Sequence, residues 1–384
     1  MTKRFMLGVV GVVLLCGAGT ASAVENVKIN GYASFGATYL DMPEKGKEHG
    51  LQAWDSFIPG KFSTDPDIRA ALQFAAKINE KLDFNAQLFG RPTEDEFKAH
   101  LDWVYLSYHL TPQVDVRVGR NKTPLFLLSD YIDVGYAYPW VRPPQEVYSS
   151  SIIESLNGVE IYYKNKFGGW RGIAQVYFGS NADETTVPQE QLTSLPTPGT
   201  LGDITPTEFS VYGAKGVNLS LSSDILTLRA GYFNAEVDAE DFSAVTDNVT
   251  LVTAGASLNW NNLVVYTELF QRDSEANINR LFPNQKGHYA TFGYRFGKIL
   301  PYVTTAKLSD NGNPVGADYG TPLTQKSTAF GVRFEMGDGA DLKFEVQNIK
   351  PGEGSRGLFV TDPRTMTEPQ NDANLYSIVM DVVF

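Results

Sequence analysis

Sixteen times along the chain, a stretch of about ten residues alternates apolar with polar side chains, and no other feature limits the fold so tightly. A period of two belongs to a β-strand with two unlike faces. Near 82–90, Leu82, Phe84, Ala86 and Leu88 alternate with Asp83, Asn85 and Gln87. Near 330–336, Phe330, Val332, Phe334 and Met336 alternate with Arg333 and Glu335. The chain ends on such a stretch, "NLYSIVMDVVF" at 374–384, with Tyr376, Ile378, Met380 and Val382 on one face. Terminal residues of a domain usually fray. A strand that runs to Phe384 predicts that the end itself closes a sheet or is read during assembly.

The connections alternate in length. Short ones are "NEK" (79–81), "TPQ" (111–113), "NKFGG" (165–169), "SSD" (222–224), "NN" (261–262), "GK" (297–298) and "GDGA" (337–340). Longer ones lie near 41–64, 91–98, 121–157, 180–208, 238–248, 274–287, 309–326 and 350–373. This predicts an all-β transmembrane antiparallel β-barrel of about 16 strands, with long extracellular loops and short periplasmic turns. Closure leaves no sheet edge in lipid, where an unpaired backbone group costs several kcal/mol. Aromatics at strand ends on the apolar face (Tyr39, Tyr108, Tyr232, Trp260, Phe296, Phe384) fit interfacial girdles better than a soluble multi-sheet protein. One strand resists. In "SVYGAKGVNLSL", strict alternation puts Lys215 on the face of Val211 and Leu219. A bulge near Gly213–Gly216, a subunit contact there or a different register is therefore expected.

The beginning of the chain speaks to compartment. "MTKR" is basic, "FMLGVVGVVLLCGAGT" is apolar, and "ASA" follows at 21–23, the layout of a cleaved signal peptide. Leu15 before Cys16 disfavours the rival lipoprotein signal. The expected division is a signal peptide, 1–23, and a single barrel domain, 24–384. Cleavage removes the only cysteine, so no disulfide is expected. No later stretch reaches the ~18–20 apolar residues of a spanning helix. The net charge of −12 argues against a nucleic-acid partner. A length of 384 residues would suit two or three soluble domains, yet no linker or composition break divides the chain.

With its signal peptide, sixteen strands and terminal Phe384, the chain resembles the Gram-negative outer-membrane porin superfamily. The segment "VRVGRNKTPLF" (116–126) is similar to the porin stretch leading into the third extracellular loop, including that of phosphate-selective porins. A dense arginine or lysine ladder is missing, so phosphate selectivity does not follow. The resemblance implies a homotrimer in the outer membrane, in contact with lipid. It implies that Phe384 is an assembly signal for the barrel-assembly machinery. It also implies that the third long loop, 121–157, folds into the lumen and constricts it. That loop suits burial: Leu125, Phe126, Leu127 and Leu128 open it, and Tyr136, Tyr138, Trp140 and Arg142 follow. Its carboxylates Asp130, Asp133, Glu146 and Glu154 are expected to face wall cations such as Arg69, Arg117, Arg229 and Arg333, setting a transverse field. The blander alternative is that Asp130 or Asp133 pairs with Arg142 or caps a turn. Glu268 and Glu345 complete the expected pore wall.

The reading is an outer-membrane porin, a water-filled channel for passive diffusion of small hydrophilic solutes and ions, with no cofactor or metal. Alternatives are a plugged structural or adhesive barrel and a lipase-like barrel enzyme. His49, His100, His109 and His288 show no metal spacing, and no G-x-S-x-G elbow is present. The inward census of charges is slightly basic in an acidic chain, which leaves ion selectivity open.

Overall fold

The computed structural model describes residues 26–42, 50–53, 56–92, 97–151, 153–186, 208–239, 246–275, 282–310, 323–360 and 372–384. The expected signal peptide lies outside them, as does most of the long connection 180–208. Sixteen strands make the wall. They are β1 (Val27–Asp41), β2 (Arg69–Asn79), β3 (Leu82–Pro92), β4 (Phe97–His109), β5 (Val114–Lys122), β6 (Ser155–Phe167), β7 (Trp170–Thr186) and β8 (Glu208–Ser222). Then follow β9 (Leu226–Ala239), β10 (Thr246–Trp260), β11 (Leu263–Ser274), β12 (Gln285–Tyr294), β13 (Ile299–Asp310), β14 (Gln325–Gly337), β15 (Ala340–Pro351) and β16 (Ala373–Val383).

Each strand pairs antiparallel with the next, and β16 pairs with β1 to close the ring. Phe384 completes that seam. Its backbone exchanges two hydrogen bonds with Gly31, at 2.7 and 2.9 Å. Its ring lies over Gly31, in the space that any Cβ there would need. A bare α-carbon at residue 31 thus seats the terminal aromatic on the outer face.

The two faces are inverted relative to a soluble protein. Phe35, Leu106, Val118, Leu219, Phe292 and Phe330 are exposed outward, whereas Gln87, Glu160, Asn218, Lys343 and Asp381 are buried inside. All six expected girdle aromatics are exposed on the outer surface. Such a distribution is stable only where the outside is hydrocarbon. Inside, Tyr177 and Tyr302 lie across Gly216 and Gly331 of the neighbouring strands, each ring filling the glycine's missing side chain.

The bulge in β8 is present, but its consequence differs from the expectation. The ladder with β9 slips between Tyr212 and Lys215, and Gly213 takes φ 54°. The slip turns Val211 into the lumen and leaves Lys215 on the outer face with Val217 and Leu219. Lys215 thus remains toward lipid, where its long stem lets the ammonium reach for the interface. A second irregularity falls in β4. Trp103 pairs with Gln87 and Leu101 with Leu88, so Asp102 is the extra residue and points inward.

The first and last long connections also fold against each other. Gly50–Gln52, Phe57–Pro59 and Phe359–Val360 form a three-stranded sheet. It rests on Leu40, Met42, Ile349 and Leu375 at the long-loop mouth of β1, β15 and β16.

Candidate functional site

The third long connection enters the barrel. Its two roots are clamped where Thr123 N–H donates to the Glu154 carbonyl at 2.8 Å. Leu125, Phe126, Leu127 and Leu128 then pack into a core with Phe233, Leu251, Phe270 and Tyr289 of the wall, all almost fully buried. Burying a side chain of this kind stabilises by about 1.5–3 kcal/mol, so this run alone anchors the loop. Its irregular backbone still needs partners, because buried peptide groups are almost always satisfied. Inward polar side chains of the wall supply them. Thr253 Oγ1 donates to the Leu125 carbonyl (2.6 Å) and Asn218 Nδ2 to that of Pro124 (3.0 Å). Glu268 accepts from Leu127 N–H (2.6 Å) and from the Tyr148 hydroxyl (2.6 Å).

The loop then crosses to the opposite wall. Val134 packs against Tyr32, Ala71 and Phe89 of β1–β3. Lys343 Nζ donates to the Gly135 carbonyl at 2.6 Å and pairs with Asp381 at 2.9 Å. Tyr136 donates to Glu335 at 3.2 Å and lies under the Arg333 guanidinium. Tyr138 accepts from Arg69 Nη2 at 3.0 Å and donates to the Ile132 carbonyl at 2.9 Å. Trp140 Nε1 donates to the hydroxyls of Thr291 (3.0 Å) and Thr304 (2.9 Å). Arg142 pairs with Asp67 and donates to Ser377 Oγ at 3.0 Å. The one-turn helix α1 (Gln145–Tyr148) turns the chain back toward β6. Loop and wall thus meet at β1–β3, at β8–β13 and at β14–β16.

Comparison with known proteins gives a family that matches residues 10–353, described as Gram-negative porin. The chain belongs to the Gram-negative porins. It is a channel of the outer membrane. No curated protein matches. Solved structures agree on the fold. A loop L8 deletion mutant of OmpT, an outer membrane protein of Vibrio cholerae, is 10% identical, with a TM-score of 0.58 over 93% of this chain and 99% of that one. Salmonella typhi OmpF is 13% identical, with a TM-score of 0.58 over 94% and 98%. An anion-selective porin from Comamonas acidovorans is 13% identical, with a TM-score of 0.56 over 93% and 99%.

In this porin the expected charged residues divide into three groups. Asp130 reaches a wall cation as anticipated, pairing with Arg229 Nη1 at 2.6 Å while its own side chain stays 49% exposed. Asp133 instead pairs with Lys122 at the loop's own root, at 2.6 Å, and Lys122 also reaches Asp102 at 3.2 Å. Glu146 departs from expectation. It is fully buried in α1 and accepts from Gln325 Nε2 at 2.8 Å, with no cation beside it among the described residues. Burial without a counter-charge pushes its carboxyl above the usual range.

The wall residues divide similarly. Arg69, Glu268, Arg333 and Glu345 are buried against the loop or its supports. Glu345, for instance, accepts from the Tyr302 hydroxyl at 2.7 Å. Arg117 keeps 22% exposure, pairs with Glu160 at 3.2 Å, and stacks on Tyr162. Inward parity places Asp67, Lys343 and Thr291 on the lumen face, but sequence reasoning tied none of them to the loop and missed Lys122, Gln325 and Thr304. Nothing local marks Gln325.

Proposed function

We propose that this porin is a passive, non-enzymatic channel for small hydrophilic solutes and ions, working as a homotrimer, with its limiting cross-section and ion preference set by the 121–157 loop. One observation carries the reading. The loop lies inside the barrel and brings Asp130 and Asp133 against Arg229 and Lys122, so charges of both signs lie where the loop meets the wall. Irregular backbone at membrane depth requires such burial in protein or a wet lumen. A non-catalytic role is supported by His109, whose two ring nitrogens are engaged by Asp115 (2.7 Å) and Asp83 (3.0 Å), leaving neither to activate a serine.

The trimer draws support from the wall itself. Among the described residues, the β5 ladder pairs with 104–109 of β4 but not with 97–103, where the Asp102 carbonyl accepts instead from Arg120 Nε (3.0 Å) and Ser155 Oγ (3.1 Å). Beside it the outer face carries a groove of about 600 Å³ lined by Leu101, Val104, Val118, Arg120 and Val159. A break in the strand ladder and an arginine on the outer face are unfavourable toward lipid, and a neighbouring subunit would cover both.

A second reading, a plugged barrel, has its own observation: the loop meets the wall on opposite sides of the lumen. Planar-bilayer recording separates the two. Steady current steps in groups of three, with chemical cross-linking to trimers, are the expected result. A folded protein that passes no current sinks the open-channel reading.

A further inference from the structure

At the long-loop end of the barrel, four neighbouring strands turn basic side chains outward at one level. His288 of β12 stands opposite Lys307 of β13, Lys307 opposite Lys326 of β14, and Lys326 opposite Lys350 of β15. All four residues are exposed, as is Lys286, two residues nearer the rim on β12. Adjacent strands lie about 4.8 Å apart, so the row spans about 14 Å. Like charges set directly opposite one another destabilise a sheet. Yet among the described residues only Lys350 of this group pairs with a carboxylate, Asp372 at 3.2 Å. Elsewhere on the rim, outward positions include Asp41 on β1, Glu236 on β9 and Asp273 on β11, in a chain of net charge −12. The cations are gathered on one sector rather than scattered.

A second row lies below the first. Four residues toward the short turns on the same strands come Phe292, Val303, Phe330 and Val346, opposite one another in the same order. Each is between 36% and 64% exposed on the outer face. Four residues of strand cover about 13 Å, so a line of cations stands that far above a line of bare apolar side chains. A free phosphate needs only the upper row. Both rows together fit an amphiphile with an anionic headgroup. The sector also lies across the ring from the β4–β6 groove, so a subunit seated in that groove leaves it facing lipid.

We propose that this sector is a binding site for a phosphorylated lipid of the outer membrane. The phosphate bridges Lys307 and Lys326, with Lys286 and Lys350 beside it, and the acyl chains lie along Phe292, Val303, Phe330 and Val346. Lysine ammonium groups hold phosphate as point charges. A shared anion turns the repulsion within the row into attraction. The inference rests on the chain's place in the outer membrane and not on conduction, so a barrel that passes no current leaves it standing.

The test is native mass spectrometry of the folded barrel in a neutral detergent, with dioctanoyl phosphatidic acid as the probe. Dioctanoyl phosphatidylcholine has the same chains without net charge, and glycerol 3-phosphate has the phosphate without chains. Wild type should bind phosphatidic acid about ten-fold more tightly than either control. Lys307→Gln with Lys326→Gln should weaken it to the phosphatidylcholine level. Lys166→Gln with Lys298→Gln removes the same charge at the short-turn end and should change nothing. Folding is judged by heat-modifiable migration, and Lys307→Met with Lys326→Met repeats the comparison if the glutamine pair does not fold. Phosphatidic acid should also raise the unfolding temperature of wild type but not of the 307 and 326 variants. Equal binding of phosphatidic acid and phosphatidylcholine to wild type, or equal loss in both lysine pairs, overturns the site. Glycerol 3-phosphate bound as tightly as phosphatidic acid would make this a site for free phosphate and overturn the lipid assignment.

Discussion

A carboxylate changes its meaning with its surroundings, and this loop shows the change within sixteen residues. Asp130 is half-exposed and keeps a cation, whereas Glu146 is fully buried with only neutral donors, the Gln325 amide and the Ser327 hydroxyl, beside it. Nothing local distinguishes these residues in the sequence. Their fates were set by which wall strand each one met. The raised Glu146 carboxyl has a consequence of definite sign. In a loop free in water this group titrates at its ordinary value, 4.5, and in the docked loop it holds its proton to higher pH. The docked state therefore binds more protons, so its advantage is full below pH 4.5 and is lost as pH rises through the raised value. The loop should grip most firmly in acid. Single-channel conductance, or protease cleavage of the loop, should rise as pH climbs through that raised value in wild type and become flat in Glu146→Gln. A pH dependence that survives unchanged in the glutamine variant would assign it to another group.

At the scale of the strand, parity decides cost. Phe330 of β14 is 64% exposed on the outer face, with Val303 and Val346 opposite it on the flanking strands. Phe330→Arg should destabilise the barrel by about 2–4 kcal/mol if it lies at the bilayer midplane, measured by denaturant unfolding in lipid vesicles. Thr328, two residues away on the same face but nearer the long-loop rim, should tolerate arginine better. Equal losses at both positions would mean that the hydrophobic belt is misplaced. Inward glycines are not equivalent to inward alanines. Gly331 lies under the Tyr302 ring, so even an added methyl displaces the ring from its bond to Glu345. The strands were legible because alternation is written locally in each one, and even the β8 bulge announced itself through the misplaced Lys215. The sheet joining 50–59 to 359–360 was not legible, because its pairing spans nearly the whole chain and its strands are two or three residues long. The loop's burial was legible from its Leu and aromatic content. The partners of Arg142 and Glu146 were not, since Asp67 and Gln325 are distant in sequence and ordinary in context.

For the whole molecule, the seam and the loop are the two places where a few residues govern everything. The seam rests on Gly31 and Phe384, so deleting Phe384 removes two backbone bonds and the ring that covers Gly31. Loss of heat-modifiable barrel from the outer membrane is expected, and normal insertion would show that the last residue is dispensable. On the proposed reading the loop governs conduction. At about 0.15 M salt the Debye length is about 8 Å, so only charges lining the narrow section act on a passing ion. Neutralising Asp130 and Asp133 together would leave Arg229 without its paired carboxylate and Lys122 with Asp102 alone, and should move the reversal potential toward anion preference. Neutralising the carboxylates of the 238–243 connection should move it much less. Cross-section follows the same logic. Thr123 and Glu154 are already joined at the loop's roots, so replacing 126–147 by a short Gly-Ser linker need not strain β5 or β6. It would remove the chain that bridges from Glu268 on one wall to Lys343 on the other. Conductance should rise several-fold and larger sugars should enter proteoliposomes. If the shortened barrel conducts as before, the limiting section lies elsewhere, and the sheet over the β1, β15 and β16 mouth becomes the first place to cut.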